Sequence, residues 1–407
     1  MSSSDAVAGP ASRPTWLSVA TCFLVATIEG YDIQILSISA PRFAPELGFS
    51  SGALGWIFGA VSFGIMIGSS VGGRAGDVFG HKTVLAAAIA LFGTFTLLTP
   101  LCRSFETFLA VRTLTGIGFG IALPNLVALA ANVAASGKAF RTNAAIFWGV
   151  PLGAVIAAAL FSRGMGWQVA FTGGGVAAFA CIPLVLLAFN NAPPPARTPL
   201  ARTSFIAELL SDTYRARSMI IWAIFALAYL VSYFAAIWLP MIVSVKGYPP
   251  ETAASVMLSY GILGMIGIFA TGWACDRFSF QLPIALCWIA IIPVLVSTAF
   301  AKDVVSLHVI GGLTGFFVSG GIFSLYSVAA AGYPKHLRGG GSGAALAWAR
   351  LGAIIGPLAG GWLLGTDVPI FRIMSIFSLI AFTTALLVIV AGRIFDREAD
   401  LAEAARS

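Results

Sequence analysis

Four ionisable residues sit where the chain is otherwise apolar enough to cross a bilayer. They are Glu29 and Asp32, in the stretch VATIEGYDIQILSISAP, then Arg112 and Arg350. A charge at the centre of a membrane helix costs at least about 2.5 kcal/mol, so each points to a task and a partner. Glu29 and Asp32 are three residues apart and share a helical face with Val25, Leu36 and Ala40, while Tyr31 and Gln34 point away from it. At about 1.5 Å of rise per residue, Asp32 falls about 4 to 5 Å outward of the midplane and Arg112 about 9 Å, a gap an arginine side chain can close. The spacing predicts an Asp32–Arg112 ion pair between the first and fourth spans. Glu29 lies nearer the midplane, beside another carboxylate and with no spare cation in its own half, which makes it the better proton carrier. Arg350 has no acidic residue in the spans of its half. An unpaired buried guanidinium is expensive, whereas one that meets a carboxylate ligand gains a bidentate bond, so the implied ligand is an anion. Plainer alternatives stand beside these readings: an Asp32–Arg112 pair that only fixes helix register, and an Arg350 that reaches a backbone carbonyl or the membrane interface.

The elements that must position these residues are membrane helices. Mean hydropathy is +0.94, and with 58% hydrophobic and 10% charged residues the chain lies outside the range of soluble domains. Apolar runs long enough to span the hydrocarbon core recur about twelve times, near 16–41, 51–76, 83–102, 105–132, 141–162, 167–189, 218–243, 251–274, 281–300, 304–329, 343–365 and 369–391. The expected fold is an all-α membrane protein of twelve transmembrane helices in two pseudo-symmetric six-helix bundles. Residues 1–14 form a polar cytoplasmic tail, 15–190 the first bundle, 191–217 a cytoplasmic linker with a short amphipathic helix at 204–211, 218–393 the second bundle, and 394–407 a second cytoplasmic tail. The net charge of +7 reports topology rather than nucleic-acid binding. With both ends cytoplasmic, 15 Lys and Arg fall inside and 6 outside, and the two buried arginines complete the 23. The five cysteines have no metal-ligand spacing, so no metal is expected. His81 and His336 fall in loops and His308 at an outer helix start, which leaves them poor competitors for proton carriage. No nucleophile with a nearby base and no appended soluble domain suggests an enzyme.

The halves echo one another. Gly73-x-x-x-Asp77 after the second span matches Gly272-x-x-x-Asp276 after the eighth, and GVPLG in the fifth span answers GPLAGG in the eleventh. Such internal repeats mark transporters whose site lies between the halves. The stretch GRAGDVFGHK resembles the loop motif of the major facilitator superfamily, with Gly73, Asp77, Gly80 and Lys82 matching and Val78 and His81 in place of arginines. The resemblance implies gating roles for those four and, in the second copy, for Asp276 and Arg277, with the loop aspartate capping a neighbouring helix N-terminus. It also implies that spans one, four, seven and ten line the cavity. There Trp222, Tyr229 and Tyr233 share one face of span seven, and Phe316, Ser319, Phe323 and Tyr326 one face of span ten.

A narrower resemblance, to the aromatic acid:proton symporter family, is carried by Glu29-Gly30-Tyr31-Asp32, by RTLTGIGFGIALPN from Arg112, by WLP at Trp238, and by YPKHLRGGGSGAALAWARLGAIIGP from Tyr333. Glu29 stands for an aspartate, and Asn132 for a residue that is often acidic. The implied activity is uptake of a small organic anion, an aromatic carboxylate such as a hydroxybenzoate, together with protons, by a monomer in the bacterial inner membrane that needs no cofactor. The proton would travel on Glu29 with Asp32 and Arg112, and the substrate would bind Arg350, Tyr229, Tyr233, Phe316, Phe323 and Tyr326. A carrier of sugar acids or dicarboxylates, an exporter, and a non-transporting sensor are the alternatives.

Overall fold

The computed structural model describes residues 15–133, 146, 148–189, 207–334 and 337–404. The N-terminal tail, most of the linker, His336 and the Asn132 side chain lie outside the described residues. Twelve long helices follow in order: α1 (Thr15–Leu47), α2 (Ser51–Phe79), α3 (His81–Leu98), α4 (Phe105–Val133), α5 (Gly149–Ser162), α6 (Trp167–Ala188), α7 (Arg215–Val245), α8 (Pro250–Arg277), α9 (Gln281–Phe300), α10 (Val304–Gly332), α11 (Arg338–Leu364) and α12 (Ile370–Ala404). Eleven of them are long and apolar enough to cross a membrane, and α5 is the shorter apolar one. Two ends differ from expectation. α1 continues through Pro41 and Pro45, which membrane helices tolerate because side chains and neighbouring helices satisfy the freed carbonyls. α12 runs on to Ala404 because the polar run DREADLAEA is rich in helix formers.

Between apolar helices in lipid there is little hydrophobic drive to associate, and close packing through small residues takes its place. The same scheme serves both halves. In the first, Gly64, Gly68 and Gly72 of α2 lie against the α4 backbone, and Gly116 and Gly120 of α4 lie against α2. In the second, Gly267 of α8 lies against the backbone of α10, and Gly315 of α10 against that of α8. Gly149 and Gly153 of α5 pack onto α1 at Phe23, Thr27 and Tyr31, just as Gly352 and Gly356 of α11 pack onto α7 at Ala226 and Leu230. These are the two glycine-proline runs that recur in the sequence. Here they have the same task, bringing a lining helix close to its neighbour.

The halves meet along α2 with α11, α5 with α8, and α1 with α7. Most of this contact lies toward the end opposite the basic connections. Gly55 of α2 meets Pro357 and Gly361 of α11, and Phe58 packs edge-on to Trp238 with ring centroids 5.5 Å apart. Arg42 at the far end of α1 reaches the Glu251 carboxylate at the start of α8. Toward the basic end, α4 and α10 make no extended contact among the described residues, and Tyr326 and Trp348 are exposed. The lining helices are thus parted at the basic end and closed at the other.

Candidate functional site

Asp32 and Arg112 form one continuous polar unit inside the first half. Arg112 Nη2 donates to Asp32 Oδ2 at 2.7 Å, and the Thr96 hydroxyl donates to Asp32 Oδ1 at 2.8 Å. Both charged side chains are sealed from solvent. The guanidinium lies 5.3 Å from the centre of the Phe171 ring, a cation–π arrangement contributed by α6. The pair expected from helix depth is therefore present, and it draws on α1, α3, α4 and α6 together. Arg112 Nε and Nη1 are buried without a hydrogen-bond partner among the described residues. Tyr31 points away from this cluster, its hydroxyl donating to the Ala170 carbonyl at 3.2 Å. Between the two carboxylates Gly30 has a steric duty, since a Cβ there would strike the Val150 carbonyl of α5.

Glu29 is arranged differently. It is 8% exposed, makes no hydrogen bond among the described residues, and the cation acting on it is Arg350 of α11, from the opposite half. Arg350 in turn acts on the Tyr229 and Tyr326 phenols. Tyr229 is flanked by stacked rings, Phe225 at 6.5 Å and Tyr233 at 5.9 Å, and Tyr326 meets Phe225 edge-on at 6.4 Å. Arg350 thus lies between the halves among aromatic side chains, and among the described residues it has no backbone hydrogen bond. Phe316 is not brought to this cluster. Its ring packs edge-on against Phe317 at 5.2 Å, and its backbone lies under Gly267 of α8.

A chamber of about 160 Å³ lies between α1, α5, α8 and α10, with Gly30, the residue after Glu29, and Phe323 in its wall. A larger cleft between α9 and α10 contains none of the buried charges.

The loop motif folds into a compact joint at the basic end. Gly80, at φ +87°, is the single residue separating α2 from α3, a backbone position open to glycine at little cost. His81 Nδ1 meets Asn125 Oδ1 at 2.8 Å, and Asn125 Nδ2 donates to the Gly72 carbonyl at 2.9 Å. A Cβ at Gly76 would displace both side chains. Asp77 lies 3.6 Å from His81 Nε2, and the N-cap of α3 is Gly80 itself, without a side-chain bond. Gly73 lies beside Pro124 of α4, and Lys82 is partly buried. Asp276 and Arg277 at the matching place in the second half are exposed. Sequence reasoning quoted Asn125 only as the end of the RTLTGIGFGIALPN run and gave it no partner, since it carries no charge and lies 44 residues from His81.

The Major Facilitator Superfamily model matches residues 22–312 of the chain. The chain is 32% identical over 372 residues to the 3-(3-hydroxy-phenyl)propionate transporter of Escherichia coli (strain K12), covering 88% of this chain and 89% of that protein. It is 27% identical over 439 residues to a 4-hydroxybenzoate transporter of Pseudomonas aeruginosa, covering 96% of each. Among solved structures, a bacterial homologue of the human lysosomal transporter Spinster, in an inward-facing and occupied conformation, matches 95% of this chain and 98% of that one with a TM-score of 0.77. At 14% identity that likeness is one of fold.

Proposed function

The chain belongs to the Major Facilitator Superfamily, and from that premise we propose that it is a proton-coupled symporter taking up an aromatic carboxylate such as a hydroxybenzoate. The observation that supports this reading is that Arg350 of one half acts electrostatically on Glu29 of the other, and on the Tyr229 and Tyr326 phenols of its own half. A guanidinium there offers a bidentate seat for a carboxylate, and the aromatic side chains suit a flat ring. The named relatives carry hydroxylated aromatic acids, which supports the same class.

Coupling follows from one guanidinium serving two carboxylates. Empty, the site holds ionised Glu29 and Arg350 and is neutral. When a substrate carboxylate takes Arg350, Glu29 loses its counter-charge and takes up a proton, so the loaded site is neutral again. The half-loaded states carry a net charge, which is costly to move through a low-dielectric boundary. Substrate and proton therefore favour one another's binding, and the halves rock when both are present or both absent. A monoanion carried with one proton is accumulated about tenfold per pH unit, the equivalent of about 1.36 kcal/mol. The Asp32–Arg112 unit backs α1 behind Glu29, and Gly73, Asp77, Gly80 and Lys82, with Asp276 and Arg277, form the hinge and latch at the basic end. The charge bias supports both termini on the cytoplasmic side, the bacterial source of the named relatives supports a bacterial inner membrane location, and the site is complete within one copy of the chain.

The test is uptake of labelled 4-hydroxybenzoate into proteoliposomes under an inward proton gradient. Accumulation that a protonophore abolishes is the expected result. Vesicles holding folded protein that accumulate no aromatic acid, but do accumulate a sugar acid or a dicarboxylate, would refute the substrate assignment.

A further inference from the structure

The chamber between α1, α5, α8 and α10 has a composition that salt-bridge chemistry does not explain. Its walls are apolar at Pro151, Gly261 and Phe323, and three polar side chains converge on it: Gln34 from α1, Tyr260 from α8 and Ser319 from α10. An apolar cavity of about 150 Å³ holds one benzene ring, so a chamber of about 160 Å³ is matched to a single ring. Its polar groups are partly committed already. Gln34 Nε2 donates to the Ser37 hydroxyl at 3.0 Å, which leaves the Gln34 Oε1 acceptor facing no described partner. Tyr260 and Ser319 line the same chamber, and each hydroxyl can donate a proton to an acceptor held there.

A free acceptor on one side and hydroxyl donors on the other side of a ring-sized space are the complement of a phenolic hydroxyl, which both donates and accepts. We infer that Gln34, with Tyr260 and Ser319, recognises a hydroxyl on the far side of the substrate ring from its carboxylate. The inference rests on the reading of this site as one for aromatic carboxylates. The register along the helices fits it. Gln34 lies five residues beyond Glu29 on α1, a rise of about 7.5 Å and a turn of about 140° round the helix, so the chamber opens to the side of Glu29, where Gly30 and Ile33 also line it. On α10, Phe323 in the chamber wall precedes Tyr326 at Arg350 by three residues. A carboxylate at Arg350 therefore directs the ring past Glu29 into the chamber, and places a para hydroxyl at the Gln34 end. Because Gln34 belongs to one half and Tyr260 and Ser319 to the other, a hydroxyl held between them also bridges the boundary that moves. A site built to pair a hydroxyl discriminates strongly against the analogue that lacks it, because its own buried polar groups are then left unpaired.

The experiment is a substituent series on the full-length protein in proteoliposomes: competition by 4-hydroxybenzoate, 4-methoxybenzoate, 2-hydroxybenzoate and benzoate against one labelled aromatic acid. The wild-type protein should be half-inhibited by 4-hydroxybenzoate at roughly a tenfold or more lower concentration than by the other three. The methoxy analogue accepts but does not donate, and so reports on Gln34 Oε1. In Gln34→Leu, and in Tyr260→Phe combined with Ser319→Ala, the ratio of 4-hydroxybenzoate to benzoate should fall to within about twofold of one. A wild-type series without preference overturns the inference with no need of a variant, as does a preference that survives both substitutions. A wild-type protein that takes up other organic acids but no aromatic one overturns the function proposed above instead.

Discussion

Asp32 and Arg112 belong to one half of the molecule and touch, whereas Glu29 and Arg350 belong to different halves and do not. The first pair is closed at 2.7 Å, held by Thr96 and backed by Phe171. The second is an electrostatic relation across a boundary, with an aromatic cluster on one side and a ring-sized chamber on the other. A pair inside one tightly packed bundle keeps its geometry when the halves rock, so it cannot report which way the transporter faces. A pair across the boundary changes whenever the halves move. In the function proposed above, two carboxylates one turn apart on α1 are thereby divided between a permanent task and a cyclic one.

The largest effect should come from breaking the permanent pair. Asp32→Asn leaves the sealed Arg112 charge without its counter-charge, a loss of about 3 to 5 kcal/mol. Thermal unfolding in detergent should show little folded protein surviving at ordinary temperatures. Asp32→Leu combined with Arg112→Met should recover most of that stability, because an apolar pair of similar bulk replaces a desolvated one. If Asp32→Asn instead melts like the wild type, Asp32 is not the structural member of the two and the comparison collapses.

Arg350→Gln should do the reverse, with folding kept and binding lost. The expected change is a fall of about 100-fold in apparent affinity for a carboxylate substrate, or about 2.7 kcal/mol, with the melting temperature little moved. Arg350→Lys should restore only part of it, since an ammonium cannot make the bidentate contact. Full activity in the lysine variant would show that Arg350 supplies charge without geometry.

Glu29→Gln separates binding from coupling. Counterflow between equal substrate pools should persist within several-fold, whereas accumulation driven by a pH gradient should vanish. Wild-type uptake should decline as the outside pH is raised, and the variant's exchange should not follow it. Undiminished gradient-driven accumulation in Glu29→Gln would move the proton to another residue.

How far these pairs can be read from the chain differs for a physical reason. The Asp32–Arg112 contact is legible because charges inside spans are few and depth along a helix is a count of residues. Glu29's counter-charge is not, since it depends on the rotation of one bundle against the other, which no count along a single segment contains. The twelve helices follow from hydropathy, but their ends do not: α1 passes through two prolines, and α12 continues on propensity after apolarity has ended. The His81–Asn125 joint and the meeting of Gln34, Tyr260 and Ser319 around one chamber are hidden for another reason, that uncharged polar residues are common enough in membrane helices to carry no signal until packing brings them together. Gly30 is intermediate. Its presence between two acids is visible, and its duty against Val150 appears only once α5 lies on α1.

The smallest effect concerns a third pair, Arg42 with Glu251, which crosses the boundary at the closed end. Arg42 is anchored in its own half by the Met165 carbonyl and by the Phe161 ring, 5.5 Å from its guanidinium. It therefore acts as a fixed post to which Glu251 of the other half is tied. Opening that end requires the tie to break, so the pair biases the resting population toward the conformation seen here. Its weight is modest, because the Glu251 side chain is 45% exposed and such pairs contribute at most about 1 kcal/mol. Glu251→Gln should shift the population toward the oppositely open form by no more than about fivefold. Spin labels on the α1–α2 and α7–α8 connections would report it as a growing long-distance component. High salt should produce part of the same shift in the wild type and almost none in the variant. If the label distances are the same in both proteins at low salt, Arg42 and Glu251 are neighbours at the boundary without holding it shut.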